Sequence, residues 1–400
     1  STLREAYEKA GIPTRLTGFG ELDEAFAFET APQLRGRLGT LLAAAERPGM
    51  SWLIDPGLFD EVADMAGGYQ VSQDGELVEG TGQAVAADWL ERFGQLDQNA
   101  GARTLFSLPD LTGAALAEDP DVLARALTAT TRLTRLNRLP MILVPTGTVY
   151  APELEGYLAT SGAAGLLATN LETAGAFQTS PNGRPVLAAV ASLDQAPASI
   201  DGLQLVLSET VVAGEAGQLR ILDEPADLIA DSATTTSWMT TRRLDDLLTA
   251  QPARTAAFSD VTPSTLSARQ FGQVSDLEHQ FSAYAQLVPD STLPRQAPGL
   301  LTRAVSSWWV DDRPGYDAML GAIDSLVGAD ALAGAVTLDA SPRFVMSSRT
   351  NQFPLTLVNH LDEPIRVKVV VDSDTPQRLT VPPTPAVTIP ARASVSVTVE

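Results

Sequence analysis

The stretch "PMILVPTGTVYAPELEGYLATSGAAGLLATN", residues 140–170, decides the fold. It begins with the apolar run "PMILVP", continues through "PELEGYLATSG" with helical spacing, and returns to an apolar run in "AGLLAT". A strand, a helix and a second strand in that order make a parallel pair with a crossover helix. Working outward, runs of the same kind recur at "SWLI" (51–54), "RTLFSL" (103–108), "PVLAAVASL" (185–193), "LQLVLS" (203–208), "LRIL" (219–222) and "RTAAFS" (254–259). Each has strand length and is bounded by Gly, Pro, Asp or Asn. Amphipathic helices are expected between many of them. The clearest runs from Asp119 to Leu136, with Asp119 as N-cap, Pro120 as first helical residue, and Leu123, Ala126, Leu127, Thr130 and Leu133 on one face. Further helices are expected at "STLREAYEKAGIP", "RGRLGTLLAAAERP" and "GYDAMLGAIDSLVG", while 195–240 reads as hairpin or loop. The fold class is α/β: an irregular or degenerate (β/α) barrel-like domain, with an open doubly wound sheet as the alternative.

Near residue 336 the pattern changes. "RFVMSS", "FPLTLVN", "PIRVKVVVD", "QRLTVP" and "ASVSVTV" alternate with period two and are separated by turn residues such as "NHLDEP". Ile365, Val367, Val369 and Val371 share a face, as do Val395, Val397 and Val399. A small antiparallel immunoglobulin-like β-sandwich is expected over 334–400, after an α/β domain over 1–333. The Cys–Trp–Cys core of antibody domains is missing.

The chain carries 27 basic and 49 acidic residues, a formal charge of −22. A duplex nucleic-acid binder needs a basic footprint, so nucleic acid is not an expected partner. The balance also disfavours direct docking on anionic lipid. Lysine occurs only at Lys9 and Lys368, and arginine supplies the rest. There is no cysteine, which excludes thiol catalysis, disulfides and thiolate metal sites. The two histidines, His279 and His360, are far apart, so neither a His-rich metal site nor a compact Ser-His-Asp triad is expected. His279 reads as a helix-surface residue and His360 as a turn residue. The dinucleotide fingerprint and the P-loop are absent, and no cofactor is expected. No apolar stretch approaches the roughly 18 residues of a membrane span.

Four segments carry a resemblance to a known family: "RLGTLLAAAERPG", "SWLIDPGLFDEVADMAGGYQV", "APELEGYLATSGAAGLLATN" and, most strongly, "MSSRTNQFPLTLVNHLDEPIRVKVVVDSDTPQRLTV". Together they resemble the DUF6049 family of actinobacterial envelope proteins, over most of 35–170 and 300–400 and weakly between 195 and 290. The resemblance implies an extracytoplasmic ectodomain held to the membrane by an anchor outside this sequence. It also implies a place in cell-wall assembly, since such proteins often sit beside a lipid II flippase homologue. Many relatives carry Tyr-Gly-Asp-Pro-Asp after the second strand. Here "SLPDLTGAALAEDPD" stands instead, and only Asp119, Pro120 and Asp121 match.

Strand ends are where α/β folds place their chemistry. Asp55, Asp110, Asp194 and the pair Asp223 and Glu224 stand at such ends. Each is a candidate for the paired carboxylates of glycoside hydrolysis, and each is also a natural helix cap or turn residue. Ser107, Thr146, Thr169 and Asn170 occupy equivalent positions and are candidate glycan ligands, with turn chemistry the simpler explanation. Trp308 and Trp309 are candidates for stacking on a sugar ring, or for packing. Two functions follow. The favoured one is a non-enzymatic envelope module that binds a membrane protein, such as a lipid II flippase, or a cell-wall glycan. The other is a carbohydrate-active hydrolase working on a wall polymer, which requires two of these carboxylates to converge.

Overall fold

The computed structural model describes residues 36–73, 76–172, 175–190, 217–223, 239–252, 254–328, 332–340, 352–371, 381–382 and 384–399. The helix expected at "STLREAYEKAGIP", the strands expected at "LQLVLS" and "RFVMSS", and most of 195–240 lie outside them.

Helix α1 (Arg37–Ala45) precedes strand β1 (Trp52–Ile54) and helix α2 (Pro56–Ala66). A hairpin of β2 (Gln70–Gln73) and β3 (Glu76–Glu79) leads to α3 (Gln83–Gln95) and β4 (Gly101–Arg103). Helices α4 (Leu111–Leu116) and α5 (Asp121–Thr131) stand between β4 and β5 (Ile142–Leu143). Helix α6 (Glu155–Thr160) connects β5 to β6 (Gly165–Ala168), after which come β7 (Phe177–Thr179), β8 (Pro185–Val190) and β9 (Leu219–Arg220). Helices α7 (Leu244–Thr249), α8 (Ala268–Leu287), α9 (Leu293–Ala304) and α10 (Arg313–Val327) follow. The last strands are β10 (Val336–Ala340), β11 (Phe353–Asn359), β12 (Ile365–Val367), β13 (Val387–Ile389) and β14 (Ser394–Val399).

The chain is a mixed helix and sheet protein whose main strands are parallel. Strand β1 pairs with β4, Trp52 opposite Gly101. A parallel bridge from Arg103 to Met141 leads on to β5, and β5–β6, β6–β8 and β8–β9 are parallel in turn. Among the described strands of this array only β7 runs antiparallel, against β8. A doubly wound sheet reverses its strand order at a switch point, and the described strands contain no such reversal.

Both faces of this array are covered, which is why its strands read as unbroken apolar runs. Trp52, Ile54, Met141, Leu143, Leu166, Ala168 and Val186 join the large core with the helices. Ala102, Ile142, Leu167, Leu187 and Ala189 form a second core with Phe177, against which Leu244, Leu247 and Leu248 of α7 pack.

The C-terminal strands form two antiparallel sheets, β10–β11–β14 and β12–β13. The expected alternation is present: Leu355, Leu357, Val397 and Val399 are buried, while Ser394, Ser396 and Thr398 are exposed. Ile365 and Ile389 face each other across the smaller sheet, both fully buried. Leu357, Ile365, Ile389 and Val397 belong to the same apolar cluster as the helices. Asn359 closes the turn after β11. Its Nδ2 donates to the carbonyls of Glu363 and Pro390 at 2.9 Å, and its Oδ1 accepts from the Leu361 N–H.

Several elements differ from the sequence reading. The strand expected at 103–108 is Gly101–Arg103. Beyond it Ser107 and Leu108 have φ of 56° and 45°, a left-handed pair that no strand accommodates. The helix expected from Asp119 begins at Asp121, with Pro120 at the cap, and ends at Thr131 instead of Leu136. "RTAAFS" makes isolated bridges to Thr179 and Leu171 and no strand. Strands β10 and β13 were not anticipated, because "VTLDA" and "VTI" are too short or too polar to signal themselves.

Gly101 shows how tightly β1 and β4 are joined. A Cβ at this position would lie inside the Trp52 ring. The ring has little room to move: its Nε1 donates to the Asp97 carbonyl and it meets Phe93 edge-on at 5.1 Å. Gly101→Ala is therefore expected to lower unfolding free energy by about 1–3 kcal/mol. A urea titration checks this, and an unchanged midpoint would contradict the packing described.

Candidate functional site

Asp55 ends β1 and caps α2. Its Oδ1 accepts from the Gly57 N–H at 2.8 Å, which satisfies a donor that a helix start leaves open. The same oxygen accepts from the Ser107 N–H, also at 2.8 Å. Asp55 thus joins the end of β1 to the loop beyond β4. Gly57 makes the approach possible, since a Cβ there would collide with the Ser107 side chain. Burial pushes the Asp55 carboxyl up to about 6, against the opposing pull of the two N–H bonds and Arg303.

Asp110 is completely buried. Its Oδ1 accepts from the Gly113 N–H at 2.8 Å, capping α4, and from the Thr146 hydroxyl. Its Oδ2 accepts from the Leu266 N–H at 2.6 Å. One carboxylate therefore ties together the loops after β4 and β5 and the entry to α8. Burial raises its pKa while these three bonds oppose the rise.

The remaining strand-end residues behave alike. Asn170 is buried, accepts from the Tyr150 N–H at 2.8 Å, and donates to the carbonyls of Tyr150 and Ser259 at 3.1 Å. The Thr169 and Thr148 hydroxyls lie 3.0 Å apart, and the Thr169 N–H donates to the Thr148 carbonyl. Ser107 is buried. Asp223 is exposed, and its carbonyl accepts from Arg37. Asp194 and Glu224 lie outside the described residues. The tryptophan pair divides: Trp309 is buried with its Nε1 donating to the Arg303 carbonyl, whereas Trp308 is 64 % exposed. The Trp308 loop is fixed to the β4 loop, because the Ser307 N–H donates to the Leu108 carbonyl at 2.9 Å and Asp110 N–H to that of Val305 at 2.8 Å. His279 and His360 are both exposed, the second 2.9 Å from the Thr337 hydroxyl.

A cluster that the sequence reading missed lies beside Asp55. Arg303, buried at the end of α9, reaches Glu61 through Nε at 3.4 Å and Asp60 through Nη2 at 3.3 Å. Its Nη2 also donates to the Gly57 carbonyl, and its guanidinium lies over the Phe106 ring at 4.6 Å. The signal was a carboxylate among the apolar positions of "GLFDEVADM", where Glu61 is buried between Phe59 and Val62. Burial pushes the Glu61 carboxyl up to about 8, Arg303 opposing and the charges of Asp55 and Asp60 adding to the rise.

Raised carboxyl pKa values mean that the folded protein holds protons more tightly than the unfolded chain. The stability they supply is complete in acid, and it is lost as pH rises through about 6 for Asp55 and about 8 for Glu61. One group contributes at most about 1.4 kcal/mol per pH unit. Glu61→Gln is expected to match the parent near pH 5 and to be the more stable at about pH 8.5. Urea midpoints across that range check it, and a variant weaker than the parent at the alkaline end would contradict the assignment.

Comparisons with known proteins bear on the chain as follows. No curated protein matches it. Among solved structures it is similar to the novel alpha-amylase AmyC from Thermotoga maritima, with 9% sequence identity, a TM-score of 0.44, and coverage of 74% of this chain and 86% of that one. The model of DUF6049, a family of unknown function, matches residues 214–400. That span holds the C-terminal strands on which the resemblance was strongest. It also takes in much of 195–290, where the resemblance is weak, and leaves out the segments quoted from 35–170. The DUF6049 assignment is thus supported over residues 214–400.

Proposed function

We propose that the protein is a non-enzymatic binding module of the cell envelope, an extracytoplasmic ectodomain anchored outside this sequence and linked to cell-wall assembly. On this reading residues 1–333 form a degenerate (β/α) barrel-like domain and 334–400 an immunoglobulin-like spacer. The consecutive order of the parallel strands supports the first, and the two antiparallel sheets support the second. The partner is an envelope membrane protein, such as a lipid II flippase, or a wall glycan.

One observation carries the reading. Asp110 sits where a barrel enzyme would hold a catalytic carboxylate, yet it is wholly buried and both oxygens are occupied by the chain's own donors. A general acid or nucleophile must reach substrate. One oxygen of the half-buried Asp55, Oδ1, is engaged by two backbone N–H groups. Trp308, exposed on a loop fixed to that of β4, offers a rigid apolar face to a sugar ring.

The test pairs binding with turnover. Asp110→Asn places amide hydrogens against backbone donors and is expected to lower stability by about 2–4 kcal/mol in a urea titration. Trp308→Ala is expected to leave stability within about 0.5 kcal/mol but to weaken retention on insoluble peptidoglycan. Incubation of the parent protein with that polymer should release no reducing ends. Release that disappears in Asp55→Asn, with the fold intact, would establish the hydrolase instead.

A further inference from the structure

Between α5 and β5 the sequence repeats: Thr131-Arg132-Leu133, Thr134-Arg135-Leu136, Asn137-Arg138-Leu139. The N–H groups of Leu133, Leu136 and Leu139 donate to the carbonyls three residues back, of Thr130, Leu133 and Leu136. Each repeat is thus closed by its own three-residue turn. The burial pattern follows the repeat. Leu136 and Leu139 are in the core and Leu133 packs against it, while Arg132, Arg135 and Arg138 are all exposed. Arg132 donates through Nη1 to the Arg295 carbonyl at 2.7 Å, so the exposed Arg295 of α9 stands beside the start of the row.

No Asp or Glu occurs between Asp121 and Glu153, nor between Asp290 and Asp311. None of the four arginines pairs with a carboxylate among the described residues. Arg125, on α5 just before the row, shows the contrast: it is buried and bridges Asp119 and Glu278. In a chain of net charge −22, a row of guanidinium groups with no carboxylate partner among the described residues is a local reversal of sign.

We propose that Arg132, Arg135 and Arg138, with Arg295, bind a linear phosphodiester polymer. Guanidinium forks suit phosphate oxygens. Thr134 and Asn137, both exposed, supply hydrogen-bonding groups between the members of the row. An anionic membrane fits less well. Its plane would meet the acidic remainder of the chain, whereas one strand engages the row from within a Debye length. Moreover, no large exposed apolar side chain lies in 131–140 or 291–300 to enter a bilayer. The row lies at the start of a strand, opposite the ends where Asp55 and Asp110 stand, and does not depend on the function proposed for that face.

The experiment measures binding of fluorescent poly(glycerol phosphate) to the whole protein by anisotropy. Affinity is expected to fall with salt at a logarithmic slope of about −3, for four cations on a single strand. Replacing Arg132, Arg135 and Arg138 together by Gln is expected to weaken binding roughly 100-fold. Arg313→Gln, which removes a surface arginine paired with Asp317, should change nothing. Absence of binding at low salt, or equal binding by the triple variant, overturns the proposal. So does equally tight and equally row-dependent binding to phosphatidylglycerol vesicles, which would assign the row to a lipid surface.

Discussion

The buried carboxylate of Asp110 is the constraint on which this end of the structure depends. A charge without solvent is tolerated only when its oxygens are fully engaged. Here the donors come from three separate stretches, at Gly113, Thr146 and Leu266. Satisfying one side chain therefore fixes the start of α4, the loop after β5 and the entry to α8 relative to one another. Asp55 and Asn170 do the same on either side, the first joining β1 to the β4 loop and the second joining the β5, β6 and 259 segments. Polar residues at strand ends act here as cross-ties between consecutive strands.

The same arrangement accounts for the strained backbone. Ser107 and Leu108 adopt left-handed conformations, which disfavour L-residues by about 1–2 kcal/mol each. They persist because the loop is held on several sides. Asp55 takes the Ser107 N–H, the Leu108 carbonyl receives the Ser307 N–H, and Pro109 bridges Ser306. Arg303 completes the grip, since it lies over Phe106 while joining the first turns of α2. The gathering of Asp55, Asp60 and Glu61 around one guanidinium is thus explained by the need to anchor α9 against α2. The raised carboxyl pKa values are the electrostatic consequence of crowding three acids into that contact.

Much of the architecture was legible because it rests on local patterns. Apolar runs bounded by turn residues marked most of the parallel strands, and period-two alternation marked β11, β12 and β14. The legible part of the site was its residue list: Asp55, Asp110 and Asn170 do stand at strand ends. Their roles were hidden, because the partners that define them lie far away in sequence. Asp110 meets a donor 156 positions on, and Arg303 meets Glu61 across 242. Cap and catalytic acid look alike in a single sequence, since both place a carboxylate after an apolar run. The early end of α5 had a local cause that was misread. Leu133 and Leu136 continue a helical stripe plausibly, but with Leu139 they also fit a period of three, and three-residue turns are what form.

That change of period has a chemical consequence. On a continuing α-helix, residues at 132, 135 and 138 would drift around the axis, some toward the core side and some away. In the turns that form, each repeat places its leucine inward and its arginine outward. The repeat that buries the leucines is the repeat that exposes the cations, so the row needs no separate device to hold it. It also explains why like charges are tolerated so close together. Each guanidinium keeps its hydration at the surface, and the leucine beneath it provides the anchoring apolar contact. In a chain with 49 acidic residues against 27 basic ones, 131–139 thus holds three arginines and no acid, at the end of the strand array opposite to its strand-end cross-ties.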